Sequence, residues 1–91
     1  MYKIAVSTRF KRDLLLAIKR GYDIALLGGI VTRLATGETL DERHHDHPLK
    51  GECQGCRECH VTPDWLLIYE IDNGELILHL TRTGTHSDLF K

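Results

Sequence analysis

The chain has 91 residues, enough for one small domain with a modest core and marginal stability. Its 12 Lys and Arg stand against 13 Asp and Glu, which excludes a protein that coats nucleic acid through global charge. No apolar run approaches the roughly 20 residues that span a bilayer, and no signal-peptide pattern is visible. A cytoplasmic protein with no membrane contact and three reduced cysteines is therefore expected.

Residues 2–6, Tyr-Lys-Ile-Ala-Val, alternate loosely and predict a short strand. Ser7 can cap a helix in which Phe10, Leu14, Ala17 and Ile18 share one face. Gly21 after Lys19-Arg20 suits its end, by backbone freedom and by dipole sign. Asp23 can cap a second helix that turns Ile24, Leu27, Ile30, Val31 and Leu34 inward and closes at Gly37. Gly28 and Gly29 each cost that helix about 1 kcal/mol relative to Ala; their missing side chains suggest close approach of the two helices. The short link at Gly21-Tyr22 predicts an antiparallel helical hairpin.

Residues 38–46 are polar and predict a loop. Short strand candidates follow at 49–53 and 57–62. Residues 65–71 form an apolar run broken only by Glu70, as in a central strand covered on both faces. Asp72-Asn73-Gly74 predicts a tight hairpin, since Asn-Gly tolerates positive φ, and residues 75–82 return as its partner strand. The order predicts a single α+β domain over 1–91: a small, mostly antiparallel twisted sheet with the helical hairpin on one face.

Charge is uneven. Residues 1–20 carry Lys3, Arg9, Lys11, Arg12, Lys19 and Arg20 against one acid, Asp13, whereas residues 38–58 carry six acids and three bases. The basic third can meet phosphate or be a solvated helix face. The spacing Cys53-x-x-Cys56-x-x-Cys59-His60 contains a literal match to haem c attachment, a modification that follows export. Zinc needs four ligands on a knuckle-like turn, and here the thiols fall in a predicted strand, so small half-buried side chains are the plainer reading. The cluster His44-His45-Asp46-His47 reads mainly as solvated loop, with His47, before Pro48, a site residue. His79 is mid-strand and structural. Trp65 suits either the core or a stacking surface.

Two stretches carry the chemistry: Cys59-His60-Val61-Thr62-Pro63-Asp64-Trp65, and Arg82-Thr83-Gly84-Thr85-His86. Imidazoles exchange protons near neutrality, and a guanidinium grips phosphate through paired hydrogen bonds. Thr83-Gly84-Thr85 reads as a tight turn holding Arg82 and His86 together. These parts suit cleavage of RNA with no metal or other cofactor.

Three motifs in order resemble the YafQ branch of the RelE superfamily, the ribosome-dependent RNA endonucleases that act as toxins of type II toxin–antitoxin modules. They are Asp46-His47-Pro48-Leu49-Lys50-Gly51, the run from His60 to Tyr69, and the run from Arg82 to Phe90. Phe10-Lys11-Arg12-Asp13 and Lys19-Arg20-Gly21 also fit. The resemblance spans nearly the whole chain and implies a RelE-like fold. By resemblance, His47, His60, Asp64, Arg82 and His86 match positions implicated in catalysis. Trp65 and Phe90 match positions that shape the site or contact substrate, and Lys50 is placed with them. The strand around Cys53 and Cys56 departs from relatives that carry aromatics there.

What the resemblance implies is mRNA in a ribosome as substrate, with a ribose 2′-OH attacking the adjacent phosphate. That needs a base, an acid and positive charge at the phosphate. Arg82 is the choice for charge and His86 for the acid, while His60, Asp64 or His47 can serve as base. A cognate antitoxin protein, the ribosome and mRNA are the expected partners, with toxin and antitoxin in a hetero-oligomer. Two other classes remain open on residues alone: a non-catalytic RNA- or protein-binding regulatory module, and a small Cys/His metal-binding domain.

Overall fold

The structure, a computed structural model, describes residues 1–51 and 54–90. Along the chain run β1 (Lys3–Val6), α1 (Thr8–Lys19), α2 (Ile24–Ala35), a short 3-10 turn (Glu42–His44), β2 (His47–Pro48), β3 (Cys56–Thr62), β4 (Trp65–Asp72), β5 (Ile77–Gly84) and α3 (His86–Leu89). Among the described residues the strands form one sheet in the order β1-β5-β4-β3-β2. β1 is parallel to β5, and the other pairs are antiparallel. The α+β class and the N-terminal helices are as the sequence predicts.

Local chemistry explains the helix bounds. The Ser7 hydroxyl accepts the Phe10 N–H at 2.9 Å, and an Asp23 carboxylate oxygen accepts the Ala25 N–H at 3.1 Å. Both helices end in Schellman motifs. Gly21 N–H donates to Ile18 and Tyr22 N–H to Ala17, while Gly37 N–H donates to Leu34 and Glu38 N–H to Arg33. Gly21 and Gly37 adopt φ of +79° and +83°, which an L side chain resists.

α1 and α2 bury Phe10, Ala17, Leu27, Ile30 and Leu34 against Cys59, Val61, Trp65, Leu67, Tyr69, Leu78 and Leu80 of the sheet. In β4 the odd residues face this core. Leu66 and Ile68 face the other side and are buried too, so the apolar run is covered on both faces. The second cover, made by Leu49, Leu89 and Phe90 around Ile68, is what shapes the cleft described below.

Several expectations need correcting. Ile18 is half exposed, because α1 turns the Phe10–Ala17 line to the sheet and leaves Ile18 at the rim. A Cβ on Gly28 or Gly29 would meet nothing within 4 Å, so neither serves close helix packing. The strand expected at 49–53 is instead the two-residue β2, extended only by a Leu49 N–H bond to the Cys56 carbonyl at 2.9 Å. Gly51, at φ +109°, turns the chain away, and Cys53 lies outside the described residues. The β4–β5 turn is longer than an Asn-Gly hairpin. Asp72 accepts the Glu75 N–H at 3.1 Å, and positive φ falls on Leu76, whose carbonyl is held by the Lys3 N–H at 2.8 Å. Thr83 and Gly84 are strand, not turn, and Thr85 caps α3. Cys56 is disulfide-bonded rather than reduced.

Candidate active site

Sheet register assembles the site. His47 pairs with Glu58, Glu58 with Ile68, and Ile68 with Arg82, so one cross-strand row runs through β2, β3, β4 and β5. Directly paired residues share a face. At a strand spacing near 4.8 Å the row spans about 14 Å of backbone, a distance that long side chains close from both ends. In the next row His60 pairs with Leu66 and Leu66 with Gly84, immediately before the α3 cap.

His47 Nε2 lies 3.3 Å from Glu58 Oε1, and its Nδ1 lies 3.0 Å from the Pro48 carbonyl. His60 Nδ1 lies 3.3 Å from the Pro63 carbonyl. A carbonyl only accepts, so His60 Nδ1 carries the proton in this contact and a neutral ring keeps its lone pair on Nε2, whereas His47 has an acceptor at each nitrogen. Glu58 is only 7% exposed, an acid held on a mostly buried strand beside two imidazoles. One ligand atom from each of His47, Glu58 and His60 lies within 4.8 Å of the others. Two imidazoles and a carboxylate are a donor set that suits a divalent transition ion.

The other expected ligand groups break up. His44 Nδ1 lies 2.6 Å from the His60 carbonyl, and the His45 ring stands edge-on to His60 at 5.6 Å. Asp46 accepts the Tyr69 hydroxyl at 2.7 Å and Arg57 Nε at 3.2 Å, which pins the strand that carries His47. Burial pushes the Tyr69 hydroxyl up, aided by that carboxylate, so it stays a donor. Burial also pushes the Cys59 thiol up to about 12, with Asp46 and Glu58 adding to it. A fully buried neutral thiol and a bonded Cys56 leave no thiolate for zinc among the described residues.

Arg82 is held by α1. Its Nε donates to Asp13 Oδ2 at 2.7 Å and its Nη2 to Asp13 Oδ1 at 3.1 Å. These bonds raise the guanidinium pKa above its ordinary value, so the charge is permanent. Arg82 lines a cleft of about 320 Å³ with Leu49, Lys50, Ile68, Thr81, Leu89 and Phe90.

His86 opens α3, exposed, its ring 5.0 Å from that of Phe90. Phe90 therefore links His86 to the Arg82 cleft. Helix α3 has four residues and cannot hold itself together. Its seat comes from a capping box between Thr85 and Asp88, and from Arg20, which grips Asp88 at 2.7 and 3.1 Å. The Arg20 hydrogen bonds hold the Asp88 carboxyl well below the usual carboxylate range. A Cβ at Gly84 would come 3.0 Å from Asp88 Oδ2, so a side chain there would press on the Asp88 clamp.

Asp64 and Trp65 lie elsewhere. With Tyr22, Asp23, Leu26 and Thr62 they line a groove on the helix side. Trp65 is 3% exposed, its indole N–H donates to Thr83 Oγ1 at 2.8 Å, and Tyr22 packs on it at 5.0 Å between ring centres. Trp65 is thus a core residue whose ring leaves little surface in that groove for the expected substrate contact. Sequence reasoning missed Glu58 and the clamps by Asp13 and Arg20. The signal for Glu58 was its i, i+2 spacing to His60 on one strand face; for Asp13 it was a single acid in a basic helix.

The family described as bacterial toxin of type II toxin–antitoxin system, YafQ, matches residues 2–91. The mRNA interferase toxin YafQ of Escherichia coli K12 is 40% identical over 88 residues, covering 96% of this chain and 94% of that protein. A crystal structure of a metal-bound toxin from Helicobacter pylori superposes with a TM-score of 0.94 at 46% identity, over 99% of this chain and 100% of that one. The toxin in the E. coli DinJ–YafQ complex superposes with a TM-score of 0.92 at 38% identity, over 100% of both chains.

Proposed function

The chain belongs to the YafQ family of bacterial type II toxins, and from that premise we propose that it is an mRNA interferase that cuts RNA on the ribosome by acid–base attack of a ribose 2′-OH on the adjacent phosphate. The observation that carries this reading is the row His47, Glu58, Ile68, Arg82, with His86 reached from the same cleft through Phe90. It offers proton acceptors at one end and a permanent cation and an exposed imidazole at the other.

His60, with Nδ1 turned to the Pro63 carbonyl, presents Nε2 to take the 2′-OH proton, and the Glu58 carboxylate, held in place by His47, stabilises the resulting positive charge. The 2′-oxygen bonds to phosphorus. The free Nη1 and Nη2 hydrogens of Arg82 bind the oxygens of the phosphorane, where negative charge gathers, and Lys50 adds to the field. His86 in its protonated form donates to the departing 5′-oxygen. The products are a 2′,3′-cyclic phosphate and a 5′-hydroxyl. Phe90, 39% exposed, offers a ring on which a base can stack. Asp64 keeps no step here, because it lines the other groove.

His47, Glu58 and His60 fit a divalent ion and would hold one; such an ion would act as a Lewis acid. The steps above use only the chain's own groups. The near-neutral net charge fits a nuclease whose substrate is aligned for it by the ribosome. The solved complex of the E. coli relative with DinJ supports a protein antitoxin as partner, and action in the cytoplasm follows from the substrate. No helix among the described residues is long and apolar enough to cross a membrane.

Expression of the chain alone should arrest growth, and co-expression with a neighbouring antitoxin gene should restore it through a stable complex. Purified protein stripped by a chelator, then assayed with Mg²⁺ restored for the ribosomes, should cut translated mRNA and spare the same RNA when free. Unimpaired growth together with uncut message would overturn the reading.

A further inference from the structure

Asp13 is the one acid among residues 1–20, and it lies on α1 among Lys11, Arg12 and other basic residues. An acid placed only for solubility would point to water. This one is half-buried, with its side chain 14% exposed, and is saturated by a single neighbourhood. Oδ2 accepts Arg82 Nε at 2.7 Å and the Thr83 backbone N–H at 3.1 Å, and Oδ1 accepts Arg82 Nη2 at 3.1 Å. The place explains the bonds. β1 pairs with β5 only from Ile77 to Leu80, so beyond that point β5 has no strand on this edge among the described residues. Asp13 fills the gap, taking the backbone N–H that a partner strand would have taken and the side chain next to it.

A guanidinium has two forks. The side fork is Nε with Nη2, and the end fork is Nη1 with Nη2. Asp13 occupies the side fork and, among the described residues, leaves the end fork free, in the residue that lines the cleft with Lys50 and Phe90. We propose that Asp13 is a positioning residue for the reaction: by holding the side fork of Arg82, it aims the end fork at the transferring phosphate. The proposal rests on the reading of Arg82 given above. It touches neither substrate nor reacting atoms, so its effect passes through Arg82 alone. An unheld Arg side chain would sample several rotamers and meet the phosphorane in only some of them.

The test is single-turnover cleavage of ribosome-bound mRNA by Asp13→Asn, Asp13→Glu, Arg82→Ala and the double variant D13N/R82A, with circular dichroism to confirm folding. Asn keeps the shape but turns an amide N–H toward a cation. It should lower the cleavage rate constant about 10- to 100-fold and leave the half-saturating concentration within about twofold. Asp13→Glu keeps the carboxylate one methylene out of place and should fall between Asn and wild type. In the Arg82→Ala background, Asp13→Asn should add no further loss. A folded Asp13→Asn or Asp13→Glu at the wild-type rate, with Arg82→Ala inactive, overturns this proposal and spares the role of Arg82. Arg82→Ala at the wild-type rate overturns the role of Arg82, and the proposal with it. Should Asp13→Asn not fold, Asp13→Glu decides alone, a lowered rate constant at unchanged half-saturation supporting the proposal.

Discussion

Trp65→Phe separates a core indole from a base-stacking one. Phe keeps a flat aromatic face, so a purely stacking role would survive in large part. It loses the indole N–H that Thr83 Oγ1 accepts at 2.8 Å, in a site where Thr83 is 1% exposed. The Thr83 hydroxyl still donates to the Leu66 carbonyl at 2.7 Å, so only its acceptor capacity goes unused. A buried hydrogen bond of this kind contributes about 1 kcal/mol. The smaller ring also leaves space beside Tyr22, costing about 1–2 kcal/mol when scaled from full truncation of an aromatic. The sum, about 2–3 kcal/mol, lowers Tm by roughly 10–20 °C in a domain of this size. Thermal unfolding followed by circular dichroism reads this directly, and cleavage measured well below the lowered Tm should remain within a few-fold of wild type. An unchanged Tm with a collapse in cleavage would refute the reasoning and return Trp65 to the substrate.

His86→Ala, an exposed change that should not disturb the core, is expected to lower single-turnover cleavage by about 10²- to 10⁴-fold, with an unaltered melting curve as the folding control. Gly28→Ala and Gly29→Ala should each stabilise α2 by about 1 kcal/mol, read as a higher urea midpoint, because a Cβ there meets nothing within 4 Å. The Asp88 carboxyl is depressed in the fold relative to 3.8, so its stabilising effect is complete above that value and is lost as pH falls through it toward the folded pKa. Asp88→Asn should therefore flatten the acid limb of the stability profile below about pH 4, monitored by equilibrium unfolding. Zn²⁺ added at stoichiometric amounts should bind through His47, Glu58 and His60 and slow cleavage by occupying the base, whereas His47→Ala should weaken that binding in a competition titration.

The helices, the central strand and the order of elements were legible because they rest on local signals. Ser7 and Asp23 as caps, Gly21 and Gly37 as stops, and the apolar run from Trp65 each act over a few residues. The β4–β5 turn was less legible because a contact more than 70 residues away, Lys3 to Leu76, holds the chain there. Of the candidate site, His47, His60, Arg82, His86, Lys50 and Phe90 could be named from motifs, but their grouping depends on register, which sequence spacing leaves open. Glu58 was harder to see for that reason: its i, i+2 spacing puts it on the His60 face, but its pairing opposite His47 comes from register. Asp64 and Trp65 follow His60 within one short motif, and the Pro63 turn carries them to the helix side. The clamps Asp13–Arg82 and Arg20–Asp88 join residues 69 and 68 apart, beyond any local pattern.

The chemistry of the cut ends tests the central claim most directly. A short message is translated on purified ribosomes with the toxin, and the termini of both fragments are identified by mass spectrometry. Attack by the 2′-OH with protonation of the leaving 5′-oxygen predicts a 2′,3′-cyclic phosphate, or the 3′-phosphate that follows from it, on the upstream fragment. The downstream fragment should carry a 5′-hydroxyl. A 5′-phosphate on the downstream fragment would mean that water attacked the phosphate in place of the ribose, and would contradict the account.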